Sequence, residues 1–144
     1  MTDDLLTALW TDINAEHFAG SLRPLAQIAW LPLSDEDEGI EAFGVYIAKS
    51  HAIAIDERFK PDEAKVGDGD ARETAKLEVV FRLMVHEMIH QAAHQQQLPS
   101  PGQHGSSFIT VATPVAASLG TAAPTPSTAP RWPDLVPLLA QFGL

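Results

Sequence analysis

Within residues 85–94, VHEMIHQAAH, the side chains of His86, Glu87 and His90 spell HExxH, with His94 one further turn along. Two imidazoles four residues apart on a helix project from one face about 6 Å apart, close enough to share a metal ion. Glu87 sits one position round, where its carboxylate reaches a water on that metal without binding the metal itself. The chemistry so encoded is hydrolysis: two histidines hold zinc, and the glutamate takes a proton from the water. A tetrahedral site wants a third protein ligand.

His94 lies eight residues beyond His86, a rise of about 12 Å, so a straight helix does not bring all three to one ion. No glycine follows His90 closely, no Glu follows Glu87, and Asp134 is the only later acid. His104, in GQHGSSF, remains. A helix continuing to residue 97 climbs about 10 Å past His90. The six residues LPSPGQ then span up to about 20 Å, enough to return. Pro99 and Pro101 stop further helix, and Gly102 and Gly105 permit sharp turns around the histidine. His86, His90 and His104 are therefore the expected ligands of one zinc ion per chain. Tyr46, the sole tyrosine, and His94 are candidates to donate to a developing oxyanion or to touch substrate. His17 and His51 read as surface or hydrogen-bonded core histidines.

The elements that must position these groups follow from periodicity. Leu5, Leu6, Leu9, Trp10, Ile13 and His17 recur at helical spacing over residues 3–18, with Thr2 or Asp3 as cap and Gly20 as stop. Strands are expected at 26–31, 43–48 and 51–55, the last two joined tightly through Lys49 and Ser50. The acidic stretch DEDEG at 35–39 lacks the spacing of a calcium loop and reads as a solvated turn. From about 72 to 97 no Gly or Pro intervenes, and Asp68 or Asp70 offers an N-cap. Val79, Val80, Phe81, Leu83, Met84, Val85 and Met88 surround that helix on all sides, as in a buried central element. Thr113-Pro114 suggests a kink or a new helix start. The domain is expected over 1–120, a Pro/Ala/Thr linker over 121–130, and a short apolar segment at 131–144 that docks back. The fold class is α+β: an N-terminal helix and a small antiparallel or mixed sheet, about three strands, packed on the HExxH helix.

Composition sets the outer bounds. A 144-residue chain, 45% apolar and 19% charged, suits one soluble domain. The net charge of −10 argues against a surface built to hold nucleic-acid phosphates. The absence of Cys removes disulfides, thiolate nucleophiles and cysteine zinc ribbons. MTDDLLTALW has no export-signal pattern, and no apolar run approaches the roughly 20 residues of a membrane span, so a cytoplasmic, membrane-free protein is expected.

HEMIH followed by HGSSF, with 13 residues between His90 and His104, resembles the SprT-like zinc metallopeptidases of the SprT/Spartan family. The likeness extends upstream through INAEHFAGSL, the strand with Trp30 and the pair ending AIAID, covering about residues 5–112. It implies a minimal zincin-like fold, zinc on His86, His90 and His104, and Glu87 as general base. The expected function is zinc-dependent hydrolysis of peptide bonds (an endopeptidase) on a protein or peptide substrate. The alternative is a zinc-stabilised, non-catalytic binding module, associated with DNA repair through the family. Nucleic acid enters by that association alone; the charge balance does not support it.

Overall fold

The computed structural model describes residues 3–33 and 43–144. The DEDEG turn and Thr2 lie outside the described residues. Among these residues the chain forms five α-helices and one three-stranded mixed sheet, an α+β arrangement. None of the helices is long and apolar enough to cross a membrane.

Helix α1 spans Asp4–His17 and is capped by Asp3, whose Oδ1 accepts from the Leu6 N–H at 3.0 Å. Its spacing buries Leu6, Trp10 and Ile13. Each fully buried side chain of this size stabilises the fold by about 1.5–3 kcal/mol. The helix ends at His17, and the left-handed Ala19 and Gly20 turn the chain, with the Gly20 N–H closing on Asn14 O at 2.8 Å. The Trp10 indole N–H donates to Gln91 Oε1 at 3.0 Å, tying α1 to the central helix.

Strands β1 (Gln27–Leu31), β2 (Gly44–Ile47) and β3 (Ala52–Asp56) stand in the order β1-β3-β2. β3 is buried along its whole length and pairs parallel with β1 and antiparallel with β2. β2 is thus an edge strand. The β2–β3 connection is longer than the two residues expected: it occupies 48–51, with the His51 N–H on Ala48 O at 3.2 Å and His51 in a left-handed conformation, φ 52°.

After a one-turn α2 (Glu63–Gly67), which periodicity does not reveal, α3 runs from Ala71 to Gln95 through the centre of the domain. Every residue from Leu83 to His90 is buried. Asp70 caps α3 by accepting from the Glu73 N–H at 3.0 Å. Helix α4 spans Ser106–Leu119 without interruption, so Pro114 neither starts nor ends a helix. The Thr113 hydroxyl donates backward to Ile109 O at 2.7 Å, within the continuous helix. Residues 121–130 do more than link: Ala129 is fully buried in the main core. Trp132, Leu135 and Leu139, the last on the short α5 (Val136–Ala140), join the same core.

Glu73 anchors the start of α3 from its side chain as well. It accepts from the Asp62 N–H at 3.0 Å and from Lys76 Nζ at 3.1 Å. The Asp62 bond first, then Lys76, holds its carboxyl below the ordinary carboxylate range. A depressed acid contributes stability above its unfolded value and loses it as pH falls through the folded one. Glu73→Gln should therefore lower Tm at pH 7, with the gap to the native chain closing as melts are run down toward about pH 3.

Candidate metal centre

Burial of α3 between the sheet and α4 puts His86 and Glu87 almost wholly out of solvent, and leaves His90 5% exposed. Polar groups at such depth require partners. The His86 Nδ1–H donates to the Trp132 carbonyl at 2.7 Å, and the His90 Nδ1–H to the Pro101 carbonyl at 2.9 Å. A carbonyl only accepts, so the proton of each neutral ring sits on Nδ1 and each Nε2 presents a lone pair.

The third imidazole arrives from the loop after α3. Gln96 closes the helix, Gln97 takes the left-handed conformation, and the Leu98 N–H returns to Ala93 O at 3.0 Å. This reversal directs 98–104 back along the helix. The Ser107 hydroxyl then fastens the start of α4 to the Pro99 carbonyl. His104, one residue before the Gly105 cap of α4, places its Nε2 3.0 Å from that of His86 and 3.3 Å from that of His90. The ligand atoms of all three histidines lie within 4.8 Å of one another. Nitrogens on a tetrahedral zinc with bonds of 2.0–2.1 Å are about 3.3 Å apart, so the spacing and the inward lone pairs fit such an ion. The three histidines could hold a metal. His94 is not in the group.

Phe108 forms the floor. Its ring lies 4.9, 5.2 and 5.2 Å, centroid to centroid, from His86, His90 and His104, and it is itself fully buried on Trp132. Glu87 lies against β2. Its Oε1 accepts the Tyr46 backbone N–H at 3.2 Å. A Cβ on Gly44 would meet Glu87 Oε2 at 3.4 Å and Ile55 Cδ1 at 3.4 Å, ordinary van der Waals contact, so this strand position lies directly against the carboxylate. A cavity of about 160 Å³ opens beside the site, lined by Val45, Tyr46, Glu87, His90, His94 and Pro101 among others. The Tyr46 hydroxyl is 3.3 Å from His94 Nδ1 and 3.4 Å from His51 Nδ1. Burial pushes the Tyr46 phenol above its ordinary value.

Comparisons with family models, with curated proteins and with solved structures returned no match to this chain. The site therefore has to be read from its own geometry. The structure adds groups that the sequence reading did not assign to the site: the carbonyls of Pro101 and Trp132, Gly44, the Phe108 floor and the His51 contact. Backbone carbonyls carry no side-chain signal. Phe108 had one, its place four residues after His104, but reads from sequence as ordinary core.

If the three imidazoles bind one ion, Phe108→Leu should keep the fold by circular dichroism and loosen metal binding about tenfold, because the ring floor is gone. His104→Ala should cost more than Phe108→Leu. Both are measurable by competition with a chromogenic chelator.

Proposed function

We propose that the protein is a zinc-dependent peptide hydrolase with a zincin-like core. One observation carries this reading: a buried carboxylate, Glu87, stands next to a converging three-imidazole site and opens onto a cavity. A purely structural metal site gains nothing from such a neighbour, and burying a carboxylate is costly. The helix-borne HExxH pair, with a third histidine from a returning loop, accords with the resemblance to SprT-like metallopeptidases.

Zinc, when bound, supplies the Lewis acid that polarises a carbonyl and brings a water's ionisation toward neutral pH. The chain's own groups do the rest. Glu87 accepts the proton of the attacking water and returns it to the leaving amine. The Tyr46 N–H steadies one of its oxygens, so that the carboxylate keeps one orientation through the transfer. Edge strand β2 offers backbone groups against which an extended peptide can lie. The Tyr46 phenol, at the wall of the cavity, is placed to donate to the oxygen on which negative charge develops. The lining is otherwise largely apolar and, Glu87 aside, bears no carboxylate or ammonium group. This favours uncharged substrate side chains.

Glu87→Gln should retain one equivalent of zinc by elemental analysis and lose cleavage of an unfolded protein by about 100-fold or more. Cleavage at the native rate by the variant would instead point to contaminating protease, and a native chain that holds zinc but never cleaves would favour a non-catalytic binding module.

A further inference from the structure

His51, which sequence alone places among ordinary surface or core histidines, is bound on both ring nitrogens. Its Nε2 lies 3.0 Å from the Pro24 carbonyl, which only accepts, so Nε2 carries the proton and Nδ1 is a bare acceptor. That acceptor faces the Tyr46 hydroxyl at 3.4 Å. The phenol has one hydrogen and stands between two imidazoles. With that hydrogen committed to His51, the His94 contact at 3.3 Å is made by the His94 Nδ1–H donating to the phenol oxygen. The result is a directed chain, from His94 through Tyr46 to His51 and on to Pro24.

We infer that His51 is a positioning residue, which through this relay holds the Tyr46 phenol at the wall of the hydrolytic cavity. Its backbone supports that assignment. A histidine at φ 52° costs energy that a glycine or asparagine would largely avoid, and such strain persists where surrounding contacts impose it. Those contacts are present. The His51 N–H closes the β2–β3 turn on Ala48, and its carbonyl accepts the Ala26 N–H at 2.8 Å. The ring thus stands on a fixed base against the phenol. The titratable groups around Tyr46 are His51 from the turn and Glu87, His90 and His94 from α3. Neutral bonds of this length are weak. A developing oxyanion attracts the phenol hydrogen more strongly than a neutral imidazole does, so the hydrogen is surrendered as charge appears in the transition state. The functional part rests on the hydrolase reading; the relay itself does not.

Tyr46 is the only tyrosine, so the ultraviolet band of the phenolate reports this residue alone. Loss of the acceptor in His51→Asn, a substitution suited to left-handed backbone, destabilises the neutral phenol. Loss of the donor in His94→Ala destabilises the phenolate. The phenol should then titrate about half a pH unit lower in the first variant and higher in the second, both checked for fold by circular dichroism. Shifts of the same sign, or none, overturn the relay. In cleavage of an unfolded protein, His51→Asn should lower kcat about tenfold with KM and zinc content little changed. A native kcat overturns the positioning role. If the native protein cleaves nothing, the hydrolase reading falls, and the opposite-signed titration still decides the relay.

Discussion

The centre of this molecule is governed by the cost of placing polar side chains inside a helix that is buried on every side. From Leu83 to His90 every residue of α3 is buried, yet three of the eight are His86, Glu87 and His90. An unmet buried polar group costs about 1–3 kcal/mol, and more if charged, so the surrounding chain must answer each one. It does so from three directions. The C-terminal segment brings the Trp132 carbonyl to His86, the loop after α3 brings the Pro101 carbonyl to His90, and β2 brings the Tyr46 N–H to Glu87. These partners fix orientation as well as satisfy bonding. Both imidazoles on the helix are forced to turn Nε2 toward the same point, where His104 meets them.

Seen this way, the sheet has a local purpose. β3 is the buried member and has no free edge, so it cannot serve a ligand. β2 pairs on one side only, and its Tyr46 N–H is turned away from β3 onto Glu87. At Gly44 the strand lies directly against the carboxylate. In the proposed hydrolysis, an acid whose position is fixed by one strand, next to imidazoles fixed by two carbonyls, would lose little freedom when it acts, which is the condition for efficient proton transfer.

Much of this was legible in the sequence because it is local. The strand limits at 27–31, 44–47 and 52–56 fall within a residue of those expected at each end, since β-branched and aromatic runs bounded by turn residues report on themselves. The burial of α3 follows from its apolar circumference, and the return of His104 from the two prolines and two glycines about it. The non-local features were not legible. Parallel pairing of β1 with β3 depends on where β2 comes to lie, which no single strand encodes. Pro114 reads as a helix start because proline favours that position, but α4 had already formed over eight residues before reaching it. His51 has the composition of an ordinary turn residue, and only the folded chain brings Pro24 and Tyr46 to its two nitrogens.

The C-terminal segment illustrates how far such coupling extends. Its contribution to the site is a single main-chain oxygen, but that oxygen belongs to a buried tryptophan whose indole N–H is held by the Ala122 carbonyl at 3.0 Å. Arg82 of α3 adds a bond from its guanidinium to the Asp134 carbonyl at 2.9 Å. The ring of Trp132 packs on Phe108, and Phe108 underlies all three imidazoles. Docking of the segment and occupancy of the three-histidine site therefore share the same residues. By linkage, if occupancy of the site favours docking, docking favours occupancy to the same extent in free energy. If a cation binds there, the Trp132 carbonyl would hold His86 in the tautomer that presents Nε2 to it. On this argument, the last 14 residues, through the Trp132 carbonyl, support the candidate metal site as well as the hydrophobic core.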